Sequence, residues 1–269
     1  MTEKERIKSV LFQYGLSAKK SFGQNFLVNE GIINRIINKL EVDSFATVIE
    51  IGPGLGSLTL KLFEKAKKLI AVDADRDMIR VLSDIFKDKN ITLIQSDFLR
   101  FNPDEYSSKD DRLIVGNLPY NITSELLEYL LKKGFKRAGV MVQKEVADKL
   151  TYKPGKKDNS PLGAFIASTC ELSLLTFVDK SCFDPVPKVD SAFITLDFKE
   201  DYPFEVYPLY KAFFKDPNKT ILNCLKQFPQ YNPYISKLKD EKSDLISLRA
   251  RQLEIKDLKA LGLYLLSIL

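Results

Sequence analysis

Between residues 45 and 145, short apolar runs alternate regularly with amphipathic segments, and this alternation limits the possible folds more than any other feature. Apolar runs of this length with polar borders are typical of buried parallel strands. Strands that alternate with helices predict a doubly wound α/β fold, in which helices cover both faces of a parallel sheet. The predicted strands are Thr47–Ile51, Leu69–Asp73, Ile91–Gln95, Arg112–Gly116 and Ala138–Gln143, and the predicted helices are Ser57–Lys67, Asp77–Lys87 and Thr123–Lys132.

The flanking regions predict a second, smaller domain. The first 40 residues read as two helices joined by a polar loop, and the strand-like runs Glu171–Val178 and Ala192–Phe198 could complete the sheet. After about residue 200, prolines interrupt short helical stretches rich in lysine and aromatic residues. We therefore predict a catalytic domain over residues 1–200 and a helical domain over 201–269. The helical segments predicted there are Leu209–Phe214, Thr220–Gln227 and Asp257–Leu269.

Composition excludes several classes of chemistry. The chain has no histidine, and Cys170, Cys182 and Cys224 show no Cys-x-x-Cys spacing. Ser-His-Asp and Cys-His catalysis, imidazole bases and zinc deaminases are therefore excluded, and the cysteines are expected to be reduced. With no apolar segment long enough for a bilayer and no secretory signal, we expect a cytoplasmic protein without membrane contact. The net charge of +5 is compatible with a polyanionic partner.

A glycine-rich segment, Glu50–Gly56, closes the first predicted strand of the sheet. Glycines allow a tight turn and a close approach of the backbone to a ligand. Asp73 ends the next strand about 20 residues later, where a carboxylate can bind ribose hydroxyls. The pattern is not the dinucleotide Gly-x-Gly-x-x-Gly; with Glu50 and Pro53 it resembles the S-adenosylmethionine loop of Rossmann-like methyltransferases. The alternative is a simple strand–helix turn with a solvated Asp73.

Two further polar segments are candidates for the same ligand site. Asp97 and Phe98 follow the third strand, where the carboxylate could accept a hydrogen bond from an adenine amine and the ring could pack on the base. The alternative for Asp97 is a helix or turn cap. The pair Gln24-Asn25 precedes the first strand of the sheet and could close over a cofactor; the alternative is a helix N-cap beside core aromatics.

The tetrapeptide Asn117-Leu118-Pro119-Tyr120 follows the apolar run of the fourth strand, at the edge of the sheet where ligands bind in such folds. The Asn117 amide oxygen and a backbone carbonyl near Pro119 could each accept one N–H of an exocyclic base amine. Two acceptors outside the base plane favour a pyramidal nitrogen, which frees its lone pair for methylation. Tyr120 offers a ring for stacking. A strand followed by a tight Asn/Pro turn is the structural alternative.

Together these segments resemble the bacterial ribosomal RNA small-subunit adenine dimethyltransferases, the KsgA family. The resemblance runs from about residue 18 to the C-terminus, where Leu248-Arg249-Ala250 is also family-like. It implies a Rossmann-like class I methyltransferase fold and dimethylation of two adjacent adenines near the 3′ end of small-subunit ribosomal RNA. The motifs are Lys20–Leu27, Glu50–Gly56, Gly116–Ile122, Gln143–Ala147 and Phe183–Ala192, in that order.

The resemblance also implies roles for particular residues. Asn117, Pro119 and Tyr120 would surround the target amine, and Phe183 would be the second ring stacked on the flipped adenine. Two departures stand out: Asp73 is shorter than the Glu that many members carry, and Lys215–Lys219 replaces a more basic run. The implied contacts of S-adenosylmethionine are Asn25, Leu27, Gly52, Asp73, Asp97 and Asn117.

The expected partner is small-subunit ribosomal RNA within the immature small ribosomal subunit, bound by a monomeric enzyme. Basic loops and a lysine-rich C-terminal domain suit recognition of folded RNA by shape. The alternatives are a large-subunit adenine methyltransferase of the antibiotic-resistance type, a non-catalytic ribosome-assembly factor and, more remotely, a DNA adenine methyltransferase. The candidate phosphate contacts are Lys19, Lys20, Lys153, Lys156, Lys157, Lys188, Lys215, Lys219, Lys226, Arg249 and Arg251.

Overall fold

The computed structural model describes residues 1–199 and 201–269; the side chain of Lys20, and with it that predicted phosphate contact, lies outside this description. Within the described residues the strands are β1 (Phe26–Leu27), β2 (Thr47–Ile51), β3 (Leu69–Asp73), β4 (Thr92–Gln95), β5 (Arg112–Asn117), β6 (Arg137–Gln143), β7 (Cys170–Val178), β8 (Phe183–Asp184) and β9 (Ser191–Phe198). The helices are α1 (Glu3–Tyr14), α2 (Glu30–Lys39), α3 (Thr59–Lys65), α4 (Arg76–Ile85), α5 (Thr123–Lys133), α6 (Lys144–Leu150), α7 (Pro161–Thr169), α8 (Tyr207–Phe213), α9 (Ile221–Leu225), α10 (Ile235–Ile246) and α11 (Ile255–Ile268).

The main sheet has the strand order β4-β3-β2-β5-β6-β9-β7. Neighbouring strands from β4 to β6 are parallel, while β9 runs antiparallel to β6 with Met141 opposite Phe193. The chain crosses from β4 over β3 and β2 to β5, so the strand order reverses beside β2. The α/β fold with a mainly parallel sheet is as predicted, and the reversal marks the edge where such sheets bind ligands.

The predicted strands agree with the structure to within one residue at each end, because most of them are apolar runs bounded by polar residues. In β2 and β5 nearly every side chain is buried, as expected for strands covered on both faces. The ends of the predicted helices of the C-terminal region differ from the structure by one or two residues, and α10 was not predicted. Its sequence is mostly polar, which weakens the helical pattern.

Two apolar clusters flank the parallel strands. One joins residues of α2 and α3 to β2, β3 and β5, with Ile36, Leu62 and Val115 among its buried members. The other joins α1 to α4 and includes Ile7 and Met78. Burial of these faces is the main source of stability for a fold of this kind.

A separate two-stranded ladder pairs β1 with β8, placing Leu27 opposite Phe183. Neither strand was predicted, since two residues give no periodic signal. The ladder ties the segment after the polar loop of residues 19–25 to the Phe183 region.

The chain separates into two compact units. The first unit comprises Met1–Lys144 and Ser173–Phe198, and the second comprises Glu145–Leu172 and Lys199–Leu269. The second unit therefore includes α7, which packs against α8 and α11. The sequence-based division at residue 200 did not assign this segment to the helical domain, because α7 lies between two strands of the main sheet in chain order.

Candidate functional site

A cavity of about 290 Å³ opens in the first unit at the carboxyl ends of β2, β3, β4 and β5. Its wall combines apolar surface with a few polar groups, which is typical of small-molecule sites. The structure brings together all but one of the predicted site residues, the exception being Phe183. The predicted residues in the wall are Asn25, Leu27, Gly52, Asp73, Asp97, Asn117, Pro119 and Tyr120.

The strand order arranges four of these residues in a row. Asp97 follows β4, Asp73 ends β3, Gly52 follows β2, and Asn117 ends β5. Neighbouring strands in a sheet lie about 4.8 Å apart. The row therefore spans about 15 Å, which suits an elongated ligand lying across the strand ends.

The turn after β2 depends on glycine. Gly52 and Gly54 have φ of 62° and 56°, where side chains are disfavoured. A Cβ on Gly54 would also lie 3.2 Å from the Phe26 ring. The Gly54 N–H donates to Asp73 Oδ2 at 3.2 Å, which ties the turn to β3.

Asp73 is held by backbone donors on both oxygens. In addition to Gly54, the Asp75 N–H donates to Asp73 Oδ1 at 2.8 Å. Burial raises the pKa of Asp73 to about 6, against the lowering effect of these N–H groups. At neutral pH the side chain is mainly a carboxylate, and each oxygen keeps a lone pair for a ligand hydroxyl.

Asp97 lies at the exposed end of the row, and its Oδ1 accepts the Leu99 N–H at 3.0 Å. Asp97 therefore caps a turn, which is the alternative interpretation of this residue, and it also lines the cavity. Phe98 is 5% exposed and packs near the rings of Phe101 and Tyr129. Its ring contributes to both the core and the cavity wall.

The orientation of the Asn117 amide is set by its nitrogen. Nδ2 donates to the backbone carbonyl of Asn25 at 2.9 Å, which links β5 to the polar loop of residues 19–25. Among the described residues no donor reaches Asn117 Oδ1. The amide is thus held in place with its oxygen available as an acceptor.

The backbone carbonyls beside Asn117 differ in availability. The Pro119 carbonyl accepts Thr123 Oγ1 at 3.0 Å and the Ile122 N–H at 3.2 Å, at the start of α5. Within the described part of the chain, the Leu118 carbonyl accepts no hydrogen bond. The Leu118 carbonyl therefore remains available to a ligand.

Tyr120 is positioned by Ser191, a residue that sequence reasoning did not single out. Their hydroxyl oxygens lie 2.6 Å apart, and Ser191 is fully buried at the start of β9. Burial raises the pKa of the Tyr120 hydroxyl, so it stays protonated at neutral pH. Ser191 lies within the Phe183–Ala192 motif, but its partner is distant in sequence.

Phe183 does not occupy the predicted position. Its side chain is 1% exposed and belongs to the apolar cluster that contains Val178 and Phe193. It is paired with Leu27 in the β1–β8 ladder, and unlike Leu27 it does not line the cavity. In this structure its ring is enclosed in the apolar cluster and is not exposed to a base.

Lys19 also departs from the prediction of a phosphate contact. Its Nζ lies 2.7 Å from both Asp75 and Asp77. Asp75 is 2% exposed and also accepts Gln24 Nε2 at 2.8 Å, while the Lys19 N–H donates to Gln24 Oε1 at 2.9 Å. These contacts attach the polar loop, whose residues 21–25 line the cavity, to the start of α4.

In the second unit, three candidate phosphate contacts donate to backbone carbonyls. Arg249 Nε donates to Asn218 at 2.9 Å, Arg251 Nε donates to Pro217 at 3.1 Å, and Lys156 Nζ donates to Asp148 at 2.6 Å. Each of these side chains therefore stabilises a loop. The other guanidinium N–H groups of the arginines could still contact phosphates.

Glu50 is a buried acidic residue in a strand that is otherwise apolar or hydroxylated. It lies on the same face of β2 as Val48, is 2% exposed and lines the cavity. Burial raises the pKa of Glu50 to about 8. The Thr59 hydroxyl nearby opposes this shift without reaching hydrogen-bond geometry, and the Asp73 charge adds to it.

Glu50→Gln is expected to increase stability at alkaline pH. As pH rises from about 4.5 to about 8, Glu50 ionises in the unfolded chain before it does so in the folded protein. The wild type therefore loses free energy of unfolding across this window and gains none above it, whereas glutamine does not titrate. Urea unfolding at pH 5 and at pH 9 measures the free energy of unfolding of Glu50→Gln and of the wild type. The advantage of the variant over the wild type should be several kcal/mol larger at pH 9.

The exposed Glu64 on α3 provides the control. Its pairing with Lys61 is a surface contact, so Glu64→Gln should shift stability by well under about 1 kcal/mol at either pH. If the wild type and Glu50→Gln show the same dependence on pH, Glu50 is not a buried acid that resists ionisation.

Among the described residues, no group of three or more His, Cys, Asp or Glu side chains is placed to hold a metal ion. None of the described helices is long and apolar enough to cross a membrane.

The fold and cavity define the class as a Rossmann-like class I methyltransferase. Its sheet order reverses at the site, and its glycine turn and acidic strand ends line up in one row. A family model described as ribosomal RNA adenine dimethylase matches residues 15–232. The chain belongs to this family.

Individual relatives agree with the family. The chain is 38% identical over 257 residues to ribosomal RNA small subunit methyltransferase A of Mycoplasmopsis pulmonis, covering 93% of this chain and all of the relative. A crystal structure of a dimethyladenosine transferase from Plasmodium falciparum superposes with a TM-score of 0.72 at 28% identity, covering 88% of this chain and 95% of that one. The 23S rRNA methyltransferase ErmE shares the fold, with a TM-score of 0.63 at 24% identity over 88% of this chain and 98% of its own.

Proposed function

We propose that the protein transfers methyl groups from S-adenosylmethionine to the N6 amines of two adjacent adenosines near the 3′ end of small-subunit ribosomal RNA, producing dimethyladenosines. Family membership supports the reaction class, and the name of the Mycoplasmopsis relative supports the small-subunit target. The observation that carries the proposal is the Asn117 amide, whose nitrogen is occupied and whose oxygen is available beside the cavity.

The residues present fit the cofactor. In the row across the strand ends, Asp97 would bind the adenine amine, Asp73 the ribose hydroxyls, and the turn at Gly52 would admit the methionine part. Asn25 and Leu27, from the segment of residues 21–27 that lines the cavity, would cover the cofactor. When bound, S-adenosylmethionine supplies a sulfonium methyl group that a nucleophile can displace.

The residues of this chain would position and activate the adenine amine. Asn117 Oδ1 and the Leu118 carbonyl would accept its two N–H groups, and Tyr120 would stack on the base with its ring oriented by Ser191. The two acceptors draw the amine out of conjugation with the ring. The methylated amine is acidic enough to release its proton to water, so no strong base is required.

We further propose that the enzyme acts in the cytoplasm as a monomer on the immature small subunit, in ribosome biogenesis. The helical region 201–269 and the basic loops would bind folded RNA through phosphates. This mode of binding has a steep dependence on salt concentration. Of the predicted phosphate contacts, the lysines whose side chains contact no acidic group or carbonyl are the first to test.

The experiment that tests the function compares substrates. The protein is incubated with labelled S-adenosylmethionine and, separately, with unmethylated small subunits, large subunits and DNA, and the labelled base is mapped. Dimethyladenosine at two adjacent positions near the 3′ end of the small-subunit RNA is expected. Label in large-subunit RNA or DNA would contradict the proposed target, and binding without label would indicate a non-catalytic assembly factor.

Asp73→Ala is expected to weaken cofactor binding more than RNA binding. The lost interaction is a charge-assisted hydrogen bond to ribose, worth about 1.5–3 kcal/mol, or roughly a 10- to 150-fold rise in Kd. Calorimetric titration with S-adenosylmethionine measures it, while small-subunit affinity and the melting temperature serve as controls. An unchanged Kd would place the ribose elsewhere.

A further inference from the structure

The second face of the target adenine has no partner among the residues assigned so far. A base that leaves its stack loses contact on both faces, and enzymes that act on flipped bases hold them between aromatic or apolar side chains. Tyr120 lines the cavity and can cover one face. Phe183 is buried in the apolar cluster and does not line the cavity, so the other face is open to a different side chain of the wall.

The aromatic residues of the cavity wall narrow the choice. Those among the described lining residues are Phe22, Phe26, Phe98 and Tyr120. Phe26 is 6% exposed and belongs to the cluster between α1 and α4, and Phe98 is 5% exposed beside other aromatic rings. Phe22, in contrast, is 38% exposed. Apart from Tyr120, it is therefore the aromatic residue of the described wall that a base can reach.

The backbone beside Phe22 lies against the segment that contains Tyr120. A Cβ on Gly23 would lie 3.8 Å from Pro119 Cβ and 3.4 Å from Asn121 Oδ1. A hydrogen bond from the side chain at the end of β5 holds the same polar loop. The loop that carries Phe22 is thus in contact with the residues on both sides of Tyr120.

Charged side chains at the start of α4 anchor the loop around Phe22. Lys19 Nζ lies over the Phe22 ring, 5.6 Å from its centroid, and is 2.7 Å from both Asp75 and Asp77. A cation at this distance is attracted to the face of an aromatic ring. Gln24 Nε2 donates to the Asp75 carboxylate at 2.8 Å. The loop is therefore held on both sides of Phe22, which reduces the entropy that the ring would lose on stacking.

We propose that Phe22 stacks on the target adenine opposite Tyr120, with its ring held in place by Lys19. The inference rests on the proposed function, because it takes the adenine amine to lie at Asn117. The base enters between a ring of the polar loop and a ring of the segment after β5. Stacking on the second face stabilises the flipped state within the bound complex, so its loss lowers the rate of methyl transfer and leaves the affinity for the subunit nearly unchanged.

Single-turnover methylation of unmethylated small subunits, with subunits and S-adenosylmethionine at saturation, measures this effect. Phe22→Ala should lower the rate about 5- to 150-fold, the range that corresponds to the loss of one base–aromatic stack. The subunit concentration that gives half the maximal rate should change less than about twofold, since distributed phosphate contacts supply the affinity. Phe22→Tyr keeps the ring and should restore the rate to within about twofold, whereas Phe22→Leu has no flat face and should remain at least about fivefold slower.

Phe12→Ala is the matched control. Phe12 lies on α1 of the same unit, is 91% exposed and does not line the cavity, so its removal should leave the rate at the wild-type value. Melting temperatures of the Phe22 variants should stay within about 3 °C of the wild type, which separates stacking from a loss of fold. Calorimetric titration of Phe22→Ala with S-adenosylmethionine should give the wild-type Kd.

The outcomes separate this inference from the proposed function. If the wild type methylates small subunits and either Phe22→Ala or Phe22→Leu does so at the same rate, the stacking role is overturned and the function stands. A Kd for S-adenosylmethionine that rises as far as the rate falls also overturns it, because the ring then covers the cofactor. Absence of methylation by the wild type overturns both. If Phe22→Ala does not fold, Phe22→Tyr and Phe22→Leu decide, and equal rates in the two overturn the inference.

Discussion

Asn117→Ala is expected to reduce methyl transfer by about 10²-fold or more while leaving the protein folded. The variant removes the acceptor that would draw the adenine amine out of conjugation, and loss of one preorganised polar group at a reaction centre has an effect of this size. It also removes the hydrogen bond from Nδ2 to the Asn25 carbonyl, at 2.9 Å. Single-turnover methylation of unmethylated small subunits gives the rate.

A surface asparagine provides the control for this variant. Asn38 lies on α2, where its side chain is exposed and accepts a hydrogen bond from Lys65. Asn38→Ala should methylate at the wild-type rate. Melting temperatures of both variants separate a loss of chemistry from a loss of fold. Turnover near that of the wild type in Asn117→Ala would refute its role at the amine.

Phe183→Ala is expected to lower the free energy of unfolding by about 3–5 kcal/mol, the usual cost of removing a buried phenylalanine ring. The ring is 1% exposed within the apolar cluster of the first unit, and its removal leaves a cavity in that cluster. Urea unfolding measures the change. Well below the melting midpoint, the methylation rate should fall far less than in Asn117→Ala.

Phe177 is a suitable control because it is a phenylalanine of the same unit that is 55% exposed. Phe177→Ala should change stability by no more than about 0.5 kcal/mol. The stacking role implied by the family resemblance predicts the opposite result for Phe183→Ala, with unchanged stability and slower methylation. If Phe183→Ala is as stable as the wild type and methylates 5- to 150-fold more slowly, in line with roughly 1–3 kcal/mol for base stacking, the ring leaves the core to stack on the adenine.

The sequence predicted the central sheet well because the strands from β2 to β6 are mostly apolar runs with polar ends. All but one of the site residues that it predicted line the cavity. In a parallel sheet the carboxyl ends of all strands share one edge, so residues that follow successive strands must lie near one another. Gly52, Asp73, Asp97 and Asn117 could be assigned to one site on this basis alone, without knowledge of the strand order.

Sequence signals are weaker where the relevant contacts join distant segments. Lys19 has the composition of a phosphate contact, yet its ammonium is paired with two carboxylates of α4 and the turn before it. Ser191 looks like an ordinary strand residue until the fold brings it within 2.6 Å of Tyr120. No local pattern encodes either pairing.

What the sequence by itself determined is therefore the class of fold, the edge that binds ligands and the polar groups placed there. Only the tertiary structure decided how deeply each side chain is buried. Phe183 and Glu50 both belong to recognisable motifs, but packing placed one ring in the core and left one carboxyl oxygen without a partner. Burial depends on contacts from elements far apart in the chain, and it sets both the stability of an aromatic ring and the pKa of an acid.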